Sequence, residues 1–308
     1  MITVAALSPS LDLTYLLDGY RLGQMHRTPG PVAVAGGKAL NMARAARAMG
    51  ADVEVVTLLG GVTGRRVAEL ASTEGLPLVE VEAGAQTRTC FSVADSATGE
   101  LTEIYEDSPP VGPHVLAEFA AVLTERLQAR PGWLSISGRG PSGTTDAVAV
   151  LVGLGTGKQV PVAVDTHGEA LPGAVAAGPR LVKVNRAEAA ELLGRPVADD
   201  LVQMAAEVHR RSGAAVVLTD GTAGSVAVDG VSRTRIGPPT RQGDYPVGSG
   251  DSFLGGLLAA LEQGADLDEA VRLGTGCAVA NALVPGQGRF DAELARRLAA
   301  EVQVESVR

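Results

Sequence analysis

Cysteine and aromatic residues are scarce in this sequence. Its cysteines are Cys90 and Cys277, which lie far apart among the 308 residues and have no histidine or cysteine nearby at the spacing of metal ligands. This argues against a disulfide framework or a zinc site and fits a reducing compartment. Phe, Trp and Tyr make up 3% of the chain, so its core must consist of smaller residues such as Val, Leu and Ala. Buried sheets covered by helices of small residues have that composition, which favours an α/β fold.

Positive charge is also in deficit. The sequence has 26 Lys and Arg against 35 Asp and Glu, for a net charge of -9. This balance argues against a nucleic-acid partner or an anionic membrane surface, so any anionic ligand needs a local cationic pocket. The apolar run at residues 1–7 is too short for a membrane span or the core of a signal peptide, and no basic segment precedes it. We therefore expect no membrane partner and a cytoplasmic location.

Apolar runs typical of strands alternate with helical patterns along most of the chain. This alternation predicts βαβ units on a mostly parallel sheet, and the length favours one large domain over residues 1–308. Helices are predicted at residues 38–49 and across most of 251–301. Strands are predicted at residues 2–7, 53–59, 133–137, 160–165, 181–185 and 215–219, most followed by a helical stretch. The loops at their carboxyl ends are where open α/β sheets bind ligands.

Two segments interrupt this alternation, at residues 11–34 and at about 87–107. Both have the polar alternation of exposed β-structure, and together they predict a small sheet apart from the main one. Such a sheet is suited to cover a ligand as a lid. A solvent-facing hairpin without function is the open alternative.

Two glycine-rich segments resemble nucleotide loops. The first, at residues 153–158, lacks the Ser or Thr that a P-loop needs after its Lys, because Gln159 stands there, so we interpret it as a helix end and turn. The second, at residues 138–143, is a formal G-x-G-x-x-G with Asp165 at the end of the next strand, where a ribose-binding acid would lie. Pro141 removes a backbone donor from it. A dinucleotide site here is kept as an alternative.

A third glycine-rich segment contains Gly248, Ser249, Gly250 and Asp251 in front of an apolar helical run. Glycines before a helix let N–H groups converge at the positive end of the helix dipole, which suits a phosphate or a phosphoryl group in transfer. Alternatively, Asp251 caps its helix, which stabilises a helix by ~1 kcal/mol. The segment alone leaves both interpretations open.

With this segment, a second motif makes the chain resemble the PfkB, or ribokinase-like, family of carbohydrate kinases. The segment matches the family's G-[AS]-G-D, and Gly36, Gly37 and Asn41 match its Gly-Gly pair before an Asn-bearing helix. The similarity spans nearly the whole chain and is greatest to the 1-phosphofructokinase and tagatose-6-phosphate kinase branch. It implies a three-layer α/β/α core with a mostly parallel sheet and a small β-sheet lid. Pairing of two lids in a homodimer is an expectation from the resemblance alone.

The resemblance implies that Asp251 is the general base and that the amides of residues 248–250 stabilise the transferring group. It implies ATP as donor and a hydrated Mg²⁺ organised near Asn185 and Glu188, which match the family's N-x-x-E, and it leaves a monovalent cation open. For Glu188 the ordinary alternative is a first-turn acid that complements a helix N-terminus. The remaining nucleotide contacts that the resemblance implies are Lys183, Thr219, Gly221, Gly224 and, at the adenine, Asn281.

On the acceptor side, the resemblance implies that Asp12 holds sugar hydroxyls beside Gly36, Gly37 and Asn41. Arg88 would grip a phosphate already on the sugar through its bidentate fork, with Lys38 as a second positive charge. The leading hypothesis is therefore a kinase of fructose 1-phosphate, fructose 6-phosphate or tagatose 6-phosphate. The alternatives are a kinase of an unphosphorylated sugar or nucleoside, an NAD-dependent oxidoreductase, and an inactive nucleotide-binding regulator.

Two departures from the branch bear on the acceptor. Ala39 replaces the last Gly of G-G-K-G, and Arg139 stands where a small hydroxyl residue is usual. These changes leave the identity of the sugar open.

Overall fold

The computed structural model describes residues 1–239 and 241–307, so Arg308, the last residue of the predicted domain, lies outside the described part. In chain order the strands are β1 (Ile2–Ala6), β2 (Ser10–Leu17), β3 (Val32–Gly36), β4 (Val53–Leu59), β5 (Leu78–Glu82), β6 (Arg88–Asp95), β7 (Leu101–Tyr105), β8 (Trp133–Ser137), β9 (Val162–Asp165), β10 (Leu181–Asn185), β11 (Ala215–Thr219), β12 (Ser225–Val228), β13 (Arg233–Ile236) and β14 (Val304–Ser306). The helices are α1 (Lys38–Ala48), α2 (Gly61–Thr73), α3 (Pro113–Ala129), α4 (Ala147–Gly157), α5 (Ala170–Ala176), α6 (Arg186–Leu193), α7 (Leu201–Ser212), α8 (Ser249–Glu262), α9 (Leu267–Ala282) and α10 (Ala292–Ala300).

The main sheet has ten strands in the order β14-β13-β12-β11-β10-β9-β8-β1-β4-β5. The pairs from β5 through β11 are parallel, and the three pairs beyond β11 are antiparallel. Because β4 and β8 lie on opposite sides of β1, the strand order reverses there. Ligands of open α/β sheets bind at the carboxyl ends of the strands near such a reversal.

Helices cover both faces of this sheet, as the period-2 alternation of its strands requires. On β1, Val4 packs into the core under α1, α8, α9 and α10, whereas Ala5 packs into the core under α3 and α4. A third core lies under α5 to α7 beside β10 and β11. The predicted three-layer α/β/α architecture is therefore confirmed.

The small sheet has four strands in the order β3-β2-β6-β7. This confirms the predicted separate sheet, and the turn between its last two strands is closed by Gly99 N–H donating to the Asp95 carbonyl at 2.8 Å. The first segment differs from the prediction, because residues 18–31 form no strand between β2 and β3. Asp95 instead holds this connection, since its carboxylate accepts from Gly19 N–H at 2.8 Å and Tyr20 N–H at 2.9 Å.

The region after β11 also departs from the predicted strand-then-helix order. The chain turns back at Gly224, whose φ is +102°, and forms the antiparallel hairpin β12–β13. A Cβ at Gly224 would lie 2.2 Å from the Ile236 carbonyl oxygen. The backbone at Gly224 therefore comes so close to the end of β13 that only glycine fits. By contrast, residues 153–158 form the end of α4 and its C-cap, as expected. Across residues 1–239 and 241–307, every helix is too short or too polar to cross a membrane.

Candidate active site

Asp251 is the third residue of α8, whose N-cap is Gly248 in the left-handed region at φ +79°. Its side chain makes no cap hydrogen bond; the carboxylate instead accepts from Asn41 Nδ2 of α1 at 2.9 Å. The capping alternative for Asp251 is therefore wrong. The two helices that bring these side chains together pack closely, because a Cβ at Gly255 of α8 would lie 2.6 Å from the Met42 carbonyl.

The protonation of Asp251 follows from its surroundings. Burial raises the pKa of the carboxyl to about 6, with the positive charge of Lys38 acting against that rise and the negative charge of Asp165 adding to it. Asp251 is 8% exposed, and it lines the cavity between α8 and the small sheet. A carboxylate of this pKa is mostly ionised at neutral pH and can accept a proton.

The amides in front of α8 are not equally free. Ser249 N–H donates to the Pro246 carbonyl at 3.1 Å, which removes it from the predicted set of anion-binding amides. The N–H groups of Gly250 and Asp251 have no acceptor in the described part of the chain. Gly250 also lets a cation approach, since a Cβ there would lie 3.1 Å from Lys183 Nζ.

Asp165 is a site residue whose ion pairs sequence analysis missed. It ends β9, is fully buried, and lies between two lysines, with Lys38 Nζ at 3.1 Å and Lys183 Nζ at 2.8 Å. Burial alone would raise its pKa, but the two lysines outweigh burial and lower the pKa to about 2. The signal was available, because Asp165 and Lys183 belong to adjacent predicted strands, but the acid was considered only for a dinucleotide site.

Asn185 and Glu188 form a capping box at the start of α6. Glu188 N–H donates to Asn185 Oδ1 at 2.9 Å, and Asn185 N–H donates to Glu188 Oε2 at 2.8 Å. Glu188 therefore complements the N-terminus of α6, as its ordinary alternative predicts. Its other oxygen, Oε1, lies 3.8 Å from Lys38 Nζ on the side of the site.

The donor set near Glu188 suits a hydrated Mg²⁺. The described residues contain no group of three or more acidic, His or Cys side chains that could enclose a metal. Mg²⁺ commonly keeps several waters and uses one or two carboxylates together with substrate phosphates. Asn185 and Glu188 are oxygen donors of that kind.

The first of two adjoining cavities lies between α8 and the small sheet, and we call it the acceptor cavity. Its volume is about 450 Å³. The predicted acceptor residues that line it are Asp12, Gly37, Lys38, Asn41 and Arg88, and Asp251 lines it too.

The paired glycines make room for Asp12 in this cavity. A Cβ at Gly36 would lie 2.0 Å from Asp12 Cγ, and Gly37 has φ +93° and donates its N–H to Asp12 Oδ2 at 3.4 Å. The other oxygen accepts from Ser10 Oγ at 2.5 Å. Burial raises the pKa of Asp12, against the hydrogen bond from Ser10.

Arg88 opens β6 and faces the acceptor cavity. Its Nη1 donates to the Glu106 carbonyl at 3.1 Å and its Nη2 to the Ser8 carbonyl at 3.4 Å. Its Nε is buried without a partner in the described part of the chain. These contacts hold the guanidinium in place and leave donor capacity for a ligand.

The second cavity, the nucleotide cavity, has a volume of about 390 Å³. Thr219, Gly221 and Gly224, for which the resemblance implies nucleotide contacts, line it, and Lys183, Asn185 and Gly250 line both cavities. The two groups of predicted residues therefore meet at the N-terminus of α8.

Asn281 lies elsewhere than expected. It is 1% exposed, its Nδ2 donates to the Val247 carbonyl at 2.9 Å, and its Oδ1 accepts from Gly288 N–H at 2.7 Å and Ser252 Oγ at 3.1 Å. These bonds tie down the segment before α8, and Asn281 is not among the residues that line the nucleotide cavity. The residues of α9 that line this cavity are Thr275, Ala278, Val279 and Ala282.

Arg44 is a second residue that sequence analysis missed. It is 8% exposed and donates from Nη1 to Asn41 Oδ1 at 3.2 Å and from Nε to Glu74 at 2.7 Å. It thus fixes the side chain that contacts Asp251. In the sequence, a buried arginine within an alanine-rich helix looks the same as a solvent-exposed one.

The chain matches known proteins over nearly its whole length. The family described as pfkB family carbohydrate kinase matches residues 5–292. The 1-phosphofructokinase of Rhodobacter capsulatus is 32% identical over 277 residues, which cover 89% of this chain and 88% of that protein. The ATP-dependent 6-phosphofructokinase isozyme 2 of Escherichia coli strain K12 is 33% identical over 287 residues, which cover 91% and 92%. The crystal structure of phosphofructokinase-2 from Escherichia coli in complex with substrates and products has a TM-score of 0.89 at 28% identity and covers 97% of this chain and 98% of that one.

These matches define the chain as a carbohydrate kinase that uses ATP. It belongs to the pfkB family. The predicted family and ribokinase-like fold are confirmed, and the oxidoreductase alternative is wrong. A dinucleotide site would need the Asp165 carboxylate for the ribose. Both oxygens of that carboxylate already accept hydrogen bonds from Lys38 and Lys183.

Proposed function

We propose that this kinase transfers the γ-phosphoryl group of ATP to a hydroxyl of a ketose phosphate, with Asp251 as general base. The observation that supports this most directly is the buried carboxylate of Asp251, with a pKa of about 6, in the acceptor cavity next to the residues shared with the nucleotide cavity. A base there can receive the proton of a hydroxyl that attacks a phosphate held at the N-terminus of α8.

Each group between the acceptor cavity and the nucleotide cavity has a role in this reaction. The acceptor hydroxyl gives its proton to Asp251, and the free N–H groups of Gly250 and Asp251 stabilise the charge on the transferring group. Lys183 and Lys38, each paired with Asp165, add positive charge beside the transferring group. Mg²⁺, when bound through water near Asn185 and Glu188, neutralises charge on the ATP phosphates.

A phosphorylated acceptor is favoured over a free sugar. Arg88 presents unsatisfied donor capacity to the acceptor cavity although the protein as a whole has a net charge of -9. The relatives named above act on fructose phosphates, by their names. Fructose 1-phosphate, fructose 6-phosphate and tagatose 6-phosphate are therefore the acceptors we propose, with the small sheet as a lid over them.

An ADP-release screen tests this function. It compares the three ketose phosphates with free fructose, ribose and adenosine, each with MgATP, for the wild type and for Asp251→Asn. We expect turnover on a ketose phosphate and a loss of ~10²–10⁴-fold in kcat when the carboxylate is replaced by the isosteric amide.

Three results would contradict the proposal in different ways. Preferred turnover of an unphosphorylated sugar or nucleoside would overturn the acceptor class. Wild-type turnover by Asp251→Asn would overturn the role of the base. ATP binding without turnover of any acceptor would favour a regulator that binds nucleotide.

A further inference from the structure

The buried guanidinium of Arg44 lies one helical turn after Asn41, on the same face of α1. Arg44 is 8% exposed, and each of its three guanidinium nitrogens donates a hydrogen bond within the protein. Nε donates to the carboxylate of Glu74, the C-cap of α2, at 2.7 Å. Nη1 donates to the Gln287 carbonyl at 2.8 Å, and Nη2 donates to the Ala35 carbonyl of β3. These contacts with three separate parts of the chain hold the guanidinium in one position.

Arg44 keeps its charge in this buried place because Glu74 lies beside it. Burial lowers the pKa of Arg44, and the negative charge of Glu74 acts against that effect. The other charged groups that face Arg44 are Arg289, in the segment before α10, and Asp12 of β2. Arg289 also donates to the Glu74 carboxylate, so this carboxylate is held from two sides. An arginine side chain stays protonated in proteins and has only donors, so any polar atom that faces Arg44 has to be an acceptor.

The donors of Arg44 decide which end of the Asn41 amide faces Asp251. Arg44 Nη1 lies 3.2 Å from Asn41 Oδ1, and Asn41 Nδ2 donates to Asp251 Oδ2 at 2.9 Å. Asn41 is 4% exposed, and its side chain has no further hydrogen-bond partner in the described part of the chain. A reversed amide would turn its NH₂ group toward the guanidinium and its oxygen toward the carboxylate, so both hydrogen bonds would be lost.

The orientation of this amide affects the general base. A donor beside a carboxylate stabilises the ionised form, whereas an acceptor in its place would favour the protonated acid, which cannot take a proton from a hydroxyl. The charges that act on Asp251 are those of Lys38 on α1, Asp165 on β9 and Lys183 on β10. Among the described residues, these three make no hydrogen bond or ion pair with Arg44. The influence of Arg44 on the base therefore passes through Asn41.

We infer that Arg44 is a positioning residue for the general base, because it fixes the Asn41 amide with its donor end toward Asp251. This inference rests on the proposed function, in which Asp251 is the base. The described residues that line the acceptor and nucleotide cavities do not include Arg44, so Arg44 acts on the reaction without touching a reactant.

A purely structural role is the alternative, since Arg44 also joins β3 to the segment around Gln287. The two roles differ in their pH dependence. Loss of a structural link lowers kcat/KM by the same factor at every pH. Loss of the donor at Asp251 raises the pH at which Asp251 ionises, so the loss in kcat/KM is greatest at low pH and disappears as pH rises.

The pH profile of kcat/KM for the best ketose phosphate, from about pH 4 to about pH 9, separates these roles. For Arg44→Met we expect the inflection to move up by about 0.5–1 pH unit, which corresponds to the loss of one amide hydrogen bond. kcat/KM should then fall about 3- to 10-fold below the inflection and by less than about twofold above it. Arg47→Met removes an exposed arginine from the same helix and should keep the wild-type profile.

Arg44→Gln answers the same question if urea unfolding shows that Arg44→Met is not folded. Its amide can still donate to the Ala35 or Gln287 carbonyl, but it carries both a donor and an acceptor and so does not fix the orientation of Asn41. Its inflection should also move to higher pH. An inflection at the wild-type pH in every folded Arg44 variant overturns the inference.

A double-mutant cycle tests whether the effect passes through Asn41. In the Asn41→Ala background, Arg44→Met or Arg44→Gln should cause no further shift, because the amide that Arg44 orients is absent. A shift as large as in the wild-type background overturns the inference, since Arg44 would then act on Asp251 without Asn41.

Asp251→Asn distinguishes a failure of this inference from a failure of the proposed function. If Asp251→Asn keeps wild-type turnover, the proposed base is wrong and the role of Arg44 fails with it. If Asp251→Asn loses turnover while the Arg44 variants keep the wild-type inflection, only the role of Arg44 fails.

Discussion

At the scale of single residues, the chemistry depends on how burial and charge are balanced around two carboxylates. Asp165 and Asp251 are both buried, yet the pKa of Asp165 is lowered to about 2 while that of Asp251 is raised to about 6. The difference is the pairing: two lysines contact Asp165, whereas Asp251 has one amide donor. Asp165 is therefore a permanent anion, and Asp251 can exchange a proton near neutral pH.

This balance predicts the pH dependence of the reaction. Because Asp251 must be ionised to accept a proton, kcat/KM should rise with pH and level off above an apparent pKa of about 6. The hydrogen bond from Asn41 lowers the pKa of Asp251, so Asn41→Ala should move the inflection to higher pH. The measurement is kcat/KM for the acceptor from about pH 4 to about pH 9, a range that spans the expected inflection.

The comparison of variant and wild type is essential here. A phosphorylated acceptor has its own ionisation near pH 6, which also affects kcat/KM. That ionisation belongs to the substrate and cannot move between wild type and Asn41→Ala. An inflection at the same pH in both proteins would contradict the assignment to Asp251.

At the scale of elements, the site depends on the contact between α1 and α8. Asn41 and Asp251 lie on these two helices, and Gly255 allows them to approach, because a Cβ there would lie 2.6 Å from the Met42 carbonyl and 2.7 Å from Ala45 Cβ. These atoms belong to the packed helix α1, so moving them aside would cost free energy. The position of the base is therefore set by helix packing as well as by the loop before it.

Gly255→Ala should separate the two helices. We expect a loss of about 1–3 kcal/mol in the free energy of unfolding, as for other overpacked cores, together with a lower kcat. Gly153→Ala is the matched control, since Gly153 is an exposed helical glycine with nothing within 4 Å of its added Cβ. That variant should be unchanged or more stable by about 0.5–1 kcal/mol. Urea unfolding and initial rates measure both, and equal stability of the two variants would exclude the packing argument.

At the scale of the whole molecule, the outer face of the small sheet is unusually apolar. Side chains alternate between the two faces of a sheet, so the face opposite Asp12 and Arg88 contains Leu13, Phe91 and Ile104, which are aligned across β2, β6 and β7. Ile104 is 54% exposed, and Leu13 and Phe91 are half-buried. Contiguous exposed apolar side chains are typical of interaction surfaces.

We therefore predict that the protein is a homodimer paired through its small sheets. Ile104→Glu should shift the molar mass measured by light scattering toward that of a monomer, because it places a charge in the paired surface. Val231→Glu is the control, since Val231 is 97% exposed at the turn of the β12–β13 hairpin. A monomeric wild type, or equal masses for both variants, would contradict this arrangement.

Sequence patterns predicted much of the fold and the identity of many site residues. The strands at residues 53–59, 133–137, 181–185 and 215–219 have the predicted bounds, because buried parallel strands are continuous apolar runs ended by turn residues. The antiparallel edge from β12 to β14 was not predicted, since short strands with mixed exposure resemble loops in sequence. The motifs at Gly36 and at Gly248 identified the family because both are local along the chain.

The sequence by itself determined the family, the α/β class and which residues stand at the ends of the strands. Only the tertiary structure decided what those residues contact: that Asp251 meets Asn41 instead of capping α8, that Asp165 joins Lys38 and Lys183, and that Asn281 faces the protein interior. The physical reason is that local propensity acts over a few residues, whereas these contacts join positions far apart in the chain. A pKa, a free amide or an unpaired donor depends on those distant neighbours and appears only when the chain is folded.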